Sequence, residues 1–201
     1  MAQEIELKLA VPDIALAVVA AWLDANGAPQ GEGTLLNVYL DTPARDLAQA
    51  RAALRLRRKG ERWLQTLKTA GNSQGGLATR NEWEMGIAGE AVELDAFPDE
   101  ARTLLAPLAN RLAPVFRTDF VRRTWLIAEG NARIEAALDT GSITAGDRNE
   151  RIQEVELEWL SGDNAQAGNT LQALARRLQA VAPLTPSDLS KAARGYRLAG
   201  S

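Results

Sequence analysis

EIELK, residues 4 to 8, sets Glu4, Glu6 and Lys8 against Ile5 and Leu7 in strict alternation, almost at the start of the chain. A period of two is the signature of a strand with one charged and one apolar face. By itself such a strand is usually half-buried, with its charged face in water. The same pattern returns as EVELE at 154 to 158. If the two strands are neighbours, Glu4, Glu6, Glu154 and Glu156 come together. Carboxylates two residues apart on one face lie about 6.6 Å from each other. At an effective dielectric near 20 they repel by about 2.5 kcal/mol. Solvent would screen that repulsion on an open surface, whereas a concave site would demand a cation.

The other strand-like segments follow the same rule. ALRLRRK (53 to 59) places Arg55 and Arg57 around Leu56, and RWLQTLK (62 to 68) ends in Lys68. TRNEWEM (79 to 85) puts Arg80 on one face with Glu82 and Glu84. A strand at Tyr39-Leu40 runs into Asp41-Thr42-Pro43, and GNSQGG (71 to 76) reads as a loop. Residues 118 to 143 are rich in β-formers and carry Arg122 and then Arg133, Glu135 and Asp139. A hairpin is expected at Gly130-Asn131 and a further turn at Thr140-Gly141.

Helices are expected over 12 to 26, mostly buried for want of polar residues, over 98 to 113 with Pro107 as an interruption, and from about 164 to 181. In the tail, Ser187 is the expected N-cap and Gly195 the stop. The apolar residues Ile5, Leu7, Leu54, Leu56, Val155, Leu157 and Trp159 then face outward onto helices. Should the sheet close, the charged faces line its interior as a pocket for a polyanion carrying a divalent metal. No internal linker interrupts the 201 residues, which read as one α+β domain.

With 46% hydrophobic and 24% charged residues the composition is that of an ordinary globule. The chain contains neither cysteine nor histidine. Disulfides, thiolate nucleophiles, Ser-His-Asp catalysis and the usual zinc ligands are therefore excluded, and any metal must be held by oxygen. A formal net charge of -3 speaks against a nucleic-acid partner. The absence of a signal-like or membrane-spanning run makes the cytoplasm the expected location, with no membrane association.

The ordered set Glu4-Ile5-Glu6-Leu7-Lys8, Tyr39-Leu40-Asp41-Thr42, Leu54-Arg55-Leu56-Arg57, Thr66-Leu67-Lys68, Arg80 to Glu84, Glu154 to Glu158 and Ser190-Lys191 resembles the CYTH superfamily, the triphosphate tunnel metalloenzymes. The stretches MAQEIELKL, LSGD and LSKAARGYRLA are most similar to bacterial inorganic triphosphatases whose CYTH domain precedes an α-helical CHAD domain. These residues are thus either such an N-terminal domain or a single-domain relative. The resemblance implies a closed antiparallel eight-stranded β-barrel with helices outside, acting with Mg2+ or Mn2+ on a small triphosphate.

It also implies roles for individual residues. Glu4, Glu6, Glu154 and Glu156 match metal-binding acids, with Asp139 an additional candidate. Lys8, Arg55, Arg57, Lys68, Arg122 and Lys191 match phosphate ligands, with Arg80 and Arg133 further candidates. Glu4, Glu6, Lys8, Arg55, Arg57 and Lys68 form the catalytic group, and Glu82, Glu84, Glu135 and Glu158 belong to the wall. Arg117 and Arg123 are expected at the surface, and Trp22, Trp63, Trp125 and Trp159 in the core or on the barrel exterior. The expected reaction is hydrolysis of tripolyphosphate to pyrophosphate and phosphate. A class IV adenylate cyclase, a thiamine triphosphatase, a nucleoside triphosphatase and a non-catalytic polyphosphate- or nucleotide-binding module are the alternatives.

Overall fold

Two-residue alternation obliges each strand to send its charged and apolar side chains to opposite faces, and the chain satisfies both faces by closing the sheet on itself. The computed structural model describes residues 2–69 and 71–200. In chain order the elements are β1 (Ala2–Ala10), α1 (Leu16–Asn26), β2 (Ala28–Asp41), α2 (Asp46–Gln49), β3 (Ala53–Lys59), β4 (Arg62–Lys68), β5 (Asn72–Gln74) and β6 (Leu77–Ile87). They continue as α3 (Asp99–Leu105), β7 (Ala113–Glu129), β8 (Ala132–Ala145), β9 (Arg148–Ser161), α4 (Ala167–Gln179), β10 (Thr185–Pro186) and α5 (Lys191–Ala199).

Eight strands follow one another as β1-β9-β8-β7-β2-β3-β4-β6, and β6 pairs with β1 to complete an antiparallel barrel with helices outside. β5 and β10 are short additions on β6 and β1. Closure removes the open edges that a sheet of this size would otherwise expose. The two Glu-rich strands are indeed neighbours, with Glu6 opposite Glu158 and Lys8 opposite Glu156.

The outward faces carry the main cores. Leu7, Val155, Leu157 and Ile134 pack beneath Val19 and Leu23 of α1 and Leu171, Leu174 and Leu178 of α4, with Ile5 partly buried at the margin. Leu54, Leu56, Leu67 and Trp83 pack beneath Ala101 and Leu105 of α3. Trp125 and Trp159 belong to the first cluster, with Trp22 at its margin, and Trp63 borders the second, as expected.

Several local expectations are corrected. α1 begins at Leu16 after a 3-10 turn and buries Val19 and Leu23 on one side only, so Val18 is 44% exposed; the curved barrel wall offers one contact line, whatever the helix's composition. α3 stops at Leu105, because Pro107 lacks an N–H and obstructs the preceding turn. β2 starts eleven residues before Tyr39: its Pro29, Gly31 and Gly33 have little strand character, and pairing with β7 holds them in the sheet.

The glycine at 141 makes no turn. β8 runs through it to Ala145, and a β-carbon there would lie 2.2 Å from the Asp119 carbonyl oxygen. Nor does Gly195 end a helix: it lies within α5, whose caps are Ser190, accepting from the Ala193 N–H, and Gly200 at φ 80°.

The barrel interior is not charged throughout. Tyr39, Phe116, Phe120, Ile143 and Ile152 form an apolar cluster with Tyr196 of α5. These strand residues alternate in phase with Arg55, Arg122, Asp139 and Glu154, so they belong to the inward faces. α5 approaches so closely that a β-carbon at Gly195 would stand 2.0 Å from the Phe116 ring. Gly195→Ala is accordingly expected to cost about 2 kcal/mol or more through overpacking, measured as a lowered urea midpoint with unchanged m.

Candidate active site

The inward faces of all eight barrel strands, with one face of α5, line a cavity of about 870 Å³. Its charged groups fall into two linked networks. In the first, Glu4 accepts from Lys68 Nζ at 2.7 Å and from Arg80 Nε at 2.7 Å, while Arg80 also binds Glu6. Lys68 reaches Glu82 at 2.9 Å, and Arg55 lies 3.7 Å from Glu82 and 3.5 Å from Glu84. Arg57 approaches Glu84 only to 4.0 Å. Glu84 is also held by the Thr66 hydroxyl, which donates to it at 2.9 Å.

The second network centres on Asp139, which is fully buried. It accepts from Arg122 Nε at 2.8 Å through Oδ1 and from Arg122 Nη2 at 2.7 Å through Oδ2, and Lys191 Nζ lies 2.7 Å from that same Oδ2. Arg122 and Lys191 both reach Glu156, and Lys191 also binds Glu154. Lys8 stands 3.8 Å from Glu156 and donates to the Leu189 carbonyl. Register makes these meetings possible: Arg122 lies opposite Asp139, Asp139 opposite Glu154, and Glu4 opposite Arg80.

The electrostatics are uneven. Burial alone would raise the Glu4 carboxyl, yet Lys68 and Arg80 more than reverse it and bring it down to about 2. Glu156 is likewise held well below the ordinary range, burial being outweighed by Lys191, Arg122 and Lys8. Arg57 is brought down to about 9 by burial and by Arg55 and Arg122. Glu158 goes the other way, pushed up to about 7 by burial and by Glu4, Glu82 and Glu135 against the pull of Lys68.

Those observations bear on whether the residues suit a metal. All the acids offer hard oxygen donors, which fits magnesium or manganese. Ligand oxygens of Asp139, Glu154 and Glu156 lie within 4.8 Å of one another, a grouping that could hold an ion. Lys191 Nζ sits among them and already supplies one positive charge.

The sign of the Glu158 shift gives a test. Its folded pKa lies above the ordinary value of 4.5, so the native state binds the proton more tightly and stability falls as pH rises from about 4.5 to 7. Glu158→Gln is therefore expected to stabilise the metal-free protein by about 1–3 kcal/mol at pH 8. At pH 4 the gain is expected to vanish, as thermal melts at the two pH values would show.

Glu4, Glu6, Lys8, Arg55, Arg57, Lys68, Arg80, Arg122, Glu156 and Lys191 all line the cavity, as do Glu82, Glu84, Glu135 and Glu158. Glu154 stands behind Lys191, outside that lining, and its second oxygen accepts from Arg194 at 2.9 Å. Arg133 is a correction. It is exposed and donates to the carbonyls of Gly130 and Ala132: it keeps the phase of Glu135 and Asp139, but it stands one residue into β8 beside the hairpin turn, outside the lining of the cavity. Arg117 is exposed, and Arg123 lies over the outer face of Trp125, as expected.

Asn37 and Arg194 were not visible as site residues. Arg194 sits in the tail with no strand period to mark it. Asn37 shares the two-residue phase of Tyr39, a signal that extending the strand backwards would have exposed.

This barrel, with acids and bases directed into one cavity, defines the class of protein. The chain belongs to the CYTH family, whose domain model matches residues 2–196. Among proteins of assigned activity it is similar to an inorganic triphosphatase of Haemophilus influenzae, 33% identical over 204 residues. The match covers 98% of this chain and 55% of that protein, so the chain spans about half the length of the curated relative it matches.

Solved structures share the fold. A Hippeastrum protein described for a dominant triphosphatase activity superposes with a TM-score of 0.69 at 20% identity, over 96% of this chain and 95% of that one. A protein of Pyrococcus horikoshii OT3 gives 0.65 at 18% identity, over 96% and 98%. Among the described residues no helix is long and apolar enough to cross a membrane.

Proposed function

We propose that this chain is a metal-dependent inorganic triphosphatase that hydrolyses tripolyphosphate to pyrophosphate and phosphate. The observation that carries this reading is the convergence of Lys8, Arg55, Arg57, Lys68, Arg122 and Lys191, from five different elements, on one cavity also lined by Glu4, Glu6 and Glu156. Cations of this density hold phosphate oxygens and stabilise the charge that moves onto the leaving group. The name of the Haemophilus relative supports the same activity.

Bound at these acids, Mg2+ or Mn2+ supplies further neutralisation of the phosphate oxygens. Glu4, Glu6, Glu154, Glu156 and Asp139 are the residues that would hold it. Among the cations named above, Arg55, Arg57 and Lys8 have the loosest carboxylate partners, at 3.5 to 4.0 Å, and are the groups best placed to bind the substrate chain. A wall carboxylate orients the water. Its oxygen forms a new bond to the terminal phosphorus, the bridging P–O bond breaks, pyrophosphate leaves, and the water's proton passes to solvent.

A nucleoside would need a platform that the cavity does not spare. Among its described lining residues the aromatic ones are Tyr39 and Tyr196. Tyr39 is stacked on Phe116 with centroids 4.4 Å apart, and Tyr196 meets the same ring edge-on at 5.2 Å. Tripolyphosphate, which also carries more negative charge than the tail of ATP, is expected to be hydrolysed with the higher kcat/KM. Initial rates at matched free magnesium test this. A clear preference for ATP would overturn it, and cyclic AMP with pyrophosphate as products would identify a cyclase instead.

A further inference from the structure

We infer that Asn37 is a positioning residue that holds the Arg57 guanidinium through a neutral amide, leaving that guanidinium's charge for a phosphate. The inference rests on the triphosphatase reading and adds a residue to it. Asn37 is 1% exposed and lies directly opposite Arg57 in the β2–β3 ladder and opposite Thr118 in the β2–β7 ladder. Arg57 Nε donates to Asn37 Oδ1 at 2.6 Å, and Asn37 Nδ2 donates to the Thr118 carbonyl at 3.0 Å. An arginine cannot accept and a carbonyl cannot donate, so both ends of the amide are fixed by their partners.

The contrast with the neighbouring cations carries the inference. Lys68, Arg80, Arg122 and Lys191 each have a carboxylate oxygen at 2.7 Å. Arg57 has Glu84 at 4.0 Å, and that carboxylate is shared with Arg55 and Thr66. The closest bond to Arg57 is therefore to a group with no charge, although the guanidinium is buried and pressed by Arg55 and Arg122. An aspartate at position 37 would neutralise it and would also turn an oxygen toward the Thr118 carbonyl. Asparagine fixes the Nε edge and leaves the Nη edge with only the shared Glu84 carboxylate, at 4.0 Å.

Three variants of the full chain test this: Asn37→Asp, Asn37→Ser and Arg57→Ala, with the double variant that combines Asn37→Ser and Arg57→Ala. Tripolyphosphate is titrated into the metal-free protein by calorimetry, and hydrolysis is measured with magnesium. Asn37→Asp is expected to weaken binding by at least about 30-fold, and Asn37→Ser, which removes the anchor without adding charge, by about 3–10-fold, with the kinetic loss mainly in KM. In the Arg57→Ala background Asn37→Ser is expected to cost nothing more, since a residue acting through Arg57 has no other route.

Equal losses in Asn37→Asp and Asn37→Ser, or an undiminished Asn37→Ser penalty beside Arg57→Ala, would overturn the inference while leaving the triphosphatase reading intact. A wild-type protein that neither binds nor hydrolyses tripolyphosphate would overturn both. Where Asn37→Asp does not fold, the cycle between Asn37→Ser and Arg57→Ala decides.

Discussion

Arg55→Ala and Arg57→Ala are each expected to lower kcat/KM for tripolyphosphate by at least about 100-fold, the scale of losing one preorganised contact to developing charge. The two residues flank Leu56, and closure of the barrel turns both inward while Leu56 packs outside. Stability should move differently. Arg57 is buried beside Arg55 and Arg122 with its nearest carboxylate at 4.0 Å, so its removal relieves like-charge repulsion and is expected to cost no more than the one hydrogen bond to Asn37, about 1 kcal/mol.

Arg122→Ala makes the contrasting case, because it strips a partner from a fully buried Asp139. Breaking such a pair costs about 3–5 kcal/mol. Activity loss with little destabilisation is thus the mark of a substrate cation, and large losses of both are the mark of a structural pair. Near wild-type kinetics in a well-folded Arg57→Ala protein would mean that the charged interior does not bind the substrate there.

Glu156→Gln is expected to reduce turnover below about 1% of wild type, and excess EDTA to do the same to the unmodified protein. Glu156 stands at a junction, reached by Arg122, by Lys191 at 3.1 Å and by Lys8 at 3.8 Å. It also belongs to the one carboxylate grouping among the described residues that could hold an ion. A bound ion stabilises the native state by mass action. Millimolar magnesium is accordingly expected to raise the melting temperature of the wild type and to do so less in Glu156→Gln. Full turnover in EDTA would remove the metal from the mechanism, and an identical magnesium shift in both proteins would remove Glu156 from its site.

EIELK, LRLR and EVELE were legible as strands with one charged face because alternation is a local property, visible in five residues. From them followed the inward charges, the outward Leu7, Leu54 and Leu157, and the helices that cover those apolar faces. The oxygen-only chemistry was equally legible, since a chain without cysteine or histidine has no other ligands to offer. Partnership was not legible. Glu4 meets Lys68 and Arg80 across 64 and 76 residues, and nothing local selects them over other bases.

The register of β1 on β6 and of β7 on β8 makes those choices, and register is set when the barrel closes. Height along the barrel was equally hidden: Arg133 has the phase of Glu135 and Asp139, but it stands at the hairpin end of β8, outside the cavity. Asn37 lay hidden in a strand whose glycines and proline carry no period and which its neighbours hold in place. Gly141 and Gly195 read as punctuation but serve as close contacts, because a missing side chain looks the same in sequence whether it frees a turn or makes room for a neighbour. Sequence thus determined which face each side chain takes and what chemistry it can perform, while the tertiary structure decided which charges are spent on one another and which, like Arg57, are left over for a ligand.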